Sequence, residues 1–167
     1  KNIDKVIVST DSDEIKDISI RYGASIPFMR PKELSDDLTP TVPVISHAVK
    51  KLIQLGWEIE NVCCIYPCTP LLTPKILDSI FESMINKNHS FAYPVIKYHH
   101  PIQRAMKMNK EGKMEFFSPD HELVRTQDLE PAFHDAGQLY WGQKKAWLNQ
   151  QKMHTDGIGV LINSWEA

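Results

Sequence analysis

Residues 131–142 hold the densest set of chemistry-capable side chains: Pro131-Ala132-Phe133-His134-Asp135-Ala136-Gly137-Gln138-Leu139-Tyr140-Trp141-Gly142. Hydrogen-bonding groups, glycines and aromatic rings alternate there, and Gly137 lets a backbone approach a ligand closely. That mixture suits the wall of a pocket for a polyhydroxylated substrate. It equally suits an ordinary strand at Leu139-Tyr140-Trp141 behind a capping turn. His134 beside Asp135 has the makings of an acid/base pair. Asp11 and Asp13 offer two carboxylates to a magnesium ion, but the same Asp-Ser-Asp spacing caps a helix. Arg30, before Pro31, presents a planar fork for a phosphate or a base carbonyl, with Glu33, Asp36 and Asp37 near enough for a plain ion pair. Thr39 and Thr41 lead into a helix, as ligand donors or as caps. His99 and His100 are adjacent loop imidazoles, suited to a sugar carboxylate or a metal, or simply polar surface. No GxSxG, GxGxxG or GxxxxGK[ST] occurs, which argues against a hydrolase triad, a Rossmann dehydrogenase and a P-loop kinase in this span.

These residues need elements to position them. Lys5–Thr10 is a compact β-branched run suited to a strand buried on both faces. Glu14–Tyr22 follows as a helix closed by Gly23, and Ser25–Met29 as a second short strand. Thr41–Leu55 places Val44, Ile45, Ala48, Val49, Leu52 and Ile53 at helical spacing before Gly56. Val62–Tyr66 is a third strand. Pro74 opens a helix through Met84, and Phe91–Ile96 is a fourth strand. Strand and helix alternating in this way predict an α/β, doubly wound, mostly parallel sheet. An excursion at about 98–130 contains a hairpin over Met106–Phe117. A helix at Lys144–Asn149 and a strand at Ile158–Ile162 complete one domain spanning residues 1–167. In such sheets ligands bind beyond the carboxyl ends of the strands. Thr10-Asp11, Arg30, Tyr66-Pro67-Cys68-Thr69 and Lys97-Tyr98-His99-His100 all fall at such ends.

The chain has 167 residues, 42% hydrophobic and 24% charged, with net charge −2. That is ordinary globular composition, and the charge argues against coating a nucleic acid. No apolar run is long enough to cross a bilayer and no signal peptide is visible, so a cytoplasmic protein with no membrane partner is expected. Cys63, Cys64 and Cys68 lie together in odd number, which fits reduced thiols. Cys63 in particular is expected to be buried and unreactive.

Four segments, in order, resemble one family: Val6-Ile7-Val8-Ser9-Thr10-Asp11-Ser12-Asp13-Glu14-Ile15, Arg30-Pro31-Lys32-Glu33-Leu34-Ser35-Asp36-Asp37, Tyr66-Pro67-Cys68-Thr69-Pro70-Leu71-Leu72 and Phe133–Gly142. Together they are similar to the acylneuraminate cytidylyltransferases, and most of all to the bacterial branch acting on pseudaminic acid. The resemblance implies the nucleotide-diphospho-sugar transferase fold. It implies transfer of CMP from CTP to a nine-carbon keto-acid sugar with release of pyrophosphate, for surface glycan or flagellin glycosylation. It also implies magnesium and a homodimer built on the excursion. Carried over by position, Arg30, Asp37 and Thr41 face the nucleotide. Tyr66, Thr69, His99, His100, Ala136, Gly137 and Tyr140 face the sugar, Tyr140 with its hydroxyl open to a pocket. The sialic acid enzymes have an asparagine at the position of Ala136. A basic phosphate loop and an Asp-x-Asp metal segment belong to the family but not to this span, so the magnesium ligands are expected outside it and this span alone is expected to be inactive. The alternatives are an N-acetylneuraminate or legionaminate enzyme, a 3-deoxy-octulosonate enzyme, or a non-catalytic sugar-nucleotide-binding domain.

Overall fold

One-sided apolar stripes decide which sheet face the helices at Thr41–Gln54, Pro74–Asn86 and Lys144–Leu148 cover, while the helix at Asp13–Arg21 buries no residue. This computed structural model describes residues 2–167. Helix α1 spans Asp13–Arg21, its start capped by the Ser12 hydroxyl, which accepts from the Ile15 N–H at 3.3 Å. Helix α2 (Thr41–Gln54) buries Ser46, Ala48, Val49 and Leu52. Helix α3 (Pro74–Asn86) opens on proline, is capped by Thr73, and buries Ile76, Ile80 and Met84. Helix α4 (Lys144–Leu148) buries Ala146 and Trp147.

The strands are β1 (Asn61–Ile65), β2 (Phe91–Lys97), β3 (Met106–Met108), β4 (Met114–Phe116), β5 (Phe133–Asp135), β6 (Leu139–Gln143) and β7 (Gly157–Leu161). The main sheet runs β1-β6-β2-β5, with β7 also on β2. β6 is antiparallel to both β1 and β2, and β5 is antiparallel to β2; β7 is parallel to β2. β1, β2 and β7 therefore share a direction, and β6 and β5 oppose it. The α/β class stands, but the expected mostly parallel sheet is corrected to a mixed one. The β1–α3–β2 crossover leaves one strand's width between parallel strands. The chain returning from the excursion fills it from the opposite direction.

The amino-terminal strands are also corrected. Among the described residues, only Ile7 and Ser25 form a bridge there, in parallel, with Val8 N–H donating to Ser25 O and Ser25 N–H to Val6 O. Val6 is 58% exposed rather than buried, because this extended segment is paired on one edge only.

Side chains alternate across β6. Leu139 and Trp141 join the α3-side core with Ile76, Ile80 and Met84. Tyr140 joins the α2- and α4-side core with Val49, Phe91, Tyr93 and Trp147. Strand period two thus sends neighbouring residues of one motif into different layers. In the excursion, β3 and β4 pair around an Asn109 turn, leaving Met106, Met108, Met114, Phe117 and Leu123 exposed. No helix among the described residues is long and apolar enough to cross a membrane.

The cysteines divide by environment. Cys64 is buried and Cys68 exposed, while Cys63 is half-buried rather than fully buried, its side chain packed on the α3-side core. Burial pushes the Cys64 thiol up to about 12 and raises that of Cys63 as well. The thiolate is the reactive form. A maleimide time course on the native protein at neutral pH should label Cys68 rapidly, with the other two released only by denaturant. Fast modification of Cys63 would show that β1 opens.

Candidate functional site

Two polar clusters stand at the strand ends. The first surrounds Arg30. Its backbone N–H donates to Thr10 O at 2.8 Å, which ties the end of one extended segment to the other. Its Nε donates to Ser35 Oγ at 3.1 Å, and an Nη lies 3.6 Å from Asp11 Oδ1. Ser35 Oγ in turn donates to Pro31 O. Asp36, not Arg30, organises the loop that follows. Its carboxylate accepts from the Leu38 and Thr39 N–H groups and the Thr39 hydroxyl, and these bonds lower its pKa. Asp37 is exposed.

The second cluster is an aromatic and hydroxyl chain. The Thr41 hydroxyl, at the start of α2, is hydrogen-bonded to the Tyr66 hydroxyl just after β1. Thr41 is therefore not a cap; the cap position is Pro40. Tyr66 stacks edge-on against Tyr140, ring centroids 5.2 Å apart. The Tyr140 hydroxyl donates to Asp135 Oδ2 at 2.6 Å, and His154 Nε2 lies 2.9 Å from the same oxygen. Asp135 Oδ1 accepts from the Gly137 N–H at 2.8 Å. Tyr93 packs its ring on His154 at 5.0 Å and donates its hydroxyl to His154 O.

Thr69, Ala136 and Gly137 line a shared cavity of about 240 Å³ with Cys68, Leu71 and Gln138. The Thr69 hydroxyl donates to Tyr66 O, and Tyr66 N–H to Gln138 O, which binds the two cavity walls together. Gly137 has φ +68°, so the turn at the cavity wall favours glycine.

Some expectations need correction. Tyr140 does not offer a free hydroxyl to a pocket: it is 3% exposed and its hydroxyl is spent on Asp135, against which burial and that hydrogen bond raise its pKa. It supports the wall instead of lining it. His134 and Asp135 are not an acid/base pair. Consecutive strand residues face opposite ways, so His134 Nδ1 meets only the Asp135 main-chain oxygen while its ring packs on Tyr98. His99 and His100 are exposed and hydrogen-bond no other described residue. Among the described residues Arg30 makes no hydrogen bond to Tyr66; its partners are Thr10, Ser35 and Asp11. His154 was not among the residues singled out from the sequence. No local motif marks it, because it sits in a turn and its partner lies nineteen residues away on β5.

The described residues do not fit a magnesium ion. Asp11 leans on Arg30 and Asp13 on Lys16 at 3.1 Å, and no group of three His, Cys, Asp or Glu side chains among the described residues is placed to hold a metal.

A cytidylyltransferase family model matches residues 1–154. The chain is 37% identical over 159 residues to the pseudaminic acid cytidylyltransferase of Campylobacter jejuni subsp. jejuni serotype O:2, covering 95% of this chain and 68% of that protein. It is 33% identical over 162 residues to a Helicobacter pylori protein described as a pseudaminic acid cytidylyltransferase and UDP-2,4-diacetamido-2,4,6-trideoxy-beta-L-altropyranose hydrolase, covering 96% of this chain and 31% of that one. Among solved structures, a CMP:2-keto-3-deoxy-manno-octonic acid synthetase complexed with CTP superposes with TM-score 0.62 at 12% identity, over 97% of this chain and 73% of that one. At that identity the likeness shows the fold.

Proposed function

The chain belongs to the cytidylyltransferase family, and from that premise we propose that it transfers CMP from CTP to pseudaminic acid with release of pyrophosphate. The anomeric hydroxyl of the keto-acid sugar attacks the α-phosphorus, the new P–O bond forms, and the bond to the β-phosphate oxygen breaks. Holding two substrates in line supplies much of the rate in such chemistry. The observation that carries the choice of sugar is the 37% identity, over nearly the whole chain, to an enzyme named for pseudaminic acid. The cavity between the Thr69 loop and the Ala136–Gly137 turn supports it as the sugar side, with Arg30 and Thr41 on the nucleotide side. Magnesium is the proposed cofactor, held by residues other than those described here. Free thiols and the need for CTP favour the cytoplasm.

The experiment is pyrophosphate release from CTP with the full-length enzyme, offered pseudaminic acid, N-acetylneuraminate, legionaminate and 3-deoxy-octulosonate in parallel. Preference for pseudaminic acid is expected. Preference for another sugar would move the assignment to that sugar, and no release with any of them would overturn it.

We further propose a homodimer through the excursion, supported by the exposed Met106, Met108, Met114 and Phe117 on one short hairpin. Exposed apolar clusters of this kind mark contact surfaces. Sedimentation should give twice the chain mass, and Met108→Glu with Phe117→Glu should shift it to the monomer. An unaltered dimer would place the contact elsewhere.

A further inference from the structure

Asp135 is a three-way junction. One carboxylate accepts from the Tyr140 hydroxyl, the His154 imidazole and the Gly137 backbone N–H, at 2.6, 2.9 and 2.8 Å. Of these partners Tyr140 is enclosed and Gly137 turns the cavity wall, while the His154 side chain is 56% exposed. An exposed imidazole ordinarily samples several rotamers. This one is fixed from three directions: its Nε2 on Asp135, its ring in a T-shaped contact with Tyr93, and its main-chain oxygen on the Tyr93 hydroxyl. Tyr140 adds a fourth contact, ring centroids 6.1 Å away.

The chemistry of the junction fixes the tautomer. An ionised carboxylate can only accept, so the proton between Asp135 and His154 belongs to Nε2. When the ring is neutral, Nδ1 is left as an acceptor, tied through Asp135 to the Gly137 turn that lines the cavity. A rigid acceptor at an exposed edge is a recognition element for an O–H or N–H donor. The buried Tyr93 and Tyr140 rings pack behind this edge and hold it in place.

We propose that His154 is a sugar-recognising residue, reading a hydroxyl or acylamino N–H of the keto-acid substrate, and that Asp135 is its positioning residue. This rests on the functional reading above. It also explains the enclosure of Tyr140, whose hydroxyl serves the junction while His154 makes the contact.

The test uses the full-length enzyme and two readouts. His154→Ala should raise KM for pseudaminic acid about tenfold while leaving KM for CTP and the thermal midpoint unchanged, the size expected for one lost hydrogen bond. His154→Gln, which keeps an acceptor, should recover part of the loss. Asp135→Asn should raise the same KM without affecting that for CTP, because an amide holds the imidazole less well. Since Asp135→Asn risks disturbing the turn, the exposed His154 variants carry the decision. The second readout is the side-chain NMR signal of His154 in protein labelled with ¹⁵N-histidine, titrated with pseudaminic acid alone. A shift is expected. Turnover by the wild type with neither a KM change in His154→Ala nor a shift would overturn this inference and leave the function standing. A shift without turnover would do the reverse.

Discussion

Replacing Trp147 with alanine should destabilise the protein by about 3–5 kcal/mol, the cost of emptying a large aromatic site in a core. For a domain of this size that lowers the thermal midpoint by on the order of ten degrees. Trp147 is fully buried, packs edge-on against Phe91 with centroids 4.9 Å apart, and donates its indole N–H to Val62 O at 3.3 Å. It joins α4 to β1 and β2 in one contact set. It also explains the last glycine of the 131–142 motif. A Cβ on Gly142 would run into the Trp147 indole and stand 2.6 Å from the Phe91 ring. Gly142 is therefore glycine for space, whereas Gly137 is glycine for its backbone angle. Gly142→Ala alone should cost about 1–3 kcal/mol through overpacking. Combined with Trp147→Ala it should cost clearly less, because the indole is gone and residues in contact couple. Chemical denaturation of the two single variants and the double variant measures this. Strictly additive losses would show that the indole and the glycine do not share the space.

The difference between the two glycines shows what sequence could and could not reveal. Helices α2 and α3 were legible because burial of one face imposes a period on the apolar residues, and Pro74 and Gly56 mark their ends. The β1–α3–β2 alternation was legible for the same reason. The direction of β6 was not, since Leu139-Tyr140-Trp141 reads as apolar whichever neighbours it pairs with. Nor was the one-sided pairing of Val6–Val8, whose β-branched run only suggests a strand and says nothing of how many partners it finds. At the site, Thr41, Tyr66 and Tyr140 form one chain of contacts, whereas the family resemblance assigns Thr41 to the nucleotide and the two tyrosines to the sugar. The sign of Tyr140's exposure was missed because it depends on a carboxylate five residues back, on a strand facing the same layer. His154 was missed because a histidine in a turn carries no local signal of what lies opposite. Residues whose meaning is periodic can be read from the chain, and residues whose meaning is a tertiary partner cannot.

Arg30→Ala should raise KM for CTP by about tenfold to a hundredfold while leaving KM for the sugar nearly unchanged. The argument is one of unused donors. A guanidinium has five N–H groups. In this structure Nε is committed to Ser35 and one Nη hydrogen leans on Asp11 at a long 3.6 Å, so most of the fork stays unengaged. Its direction is nevertheless set, because the Arg30 backbone is tied to Thr10 and Ser35 is itself tied to Pro31. The side chain is 26% exposed, enough to meet a ligand and little enough to be partly shielded from water. A surface ion pair with Asp11 contributes at most about 1 kcal/mol, too little to explain so much fixing. A charged hydrogen bond to a nucleotide acceptor is worth about 1.5–3 kcal/mol, which gives the stated range. Arg30→Lys should recover little, since a point charge cannot reproduce the planar fork. Asp11→Asn serves as the contrast: it loosens the ion pair but spares the donors, so CTP affinity should change less than threefold. Steady-state kinetics with each substrate varied in turn decide it. An unchanged KM for CTP in Arg30→Ala would reduce Arg30 to a brace between two strand ends.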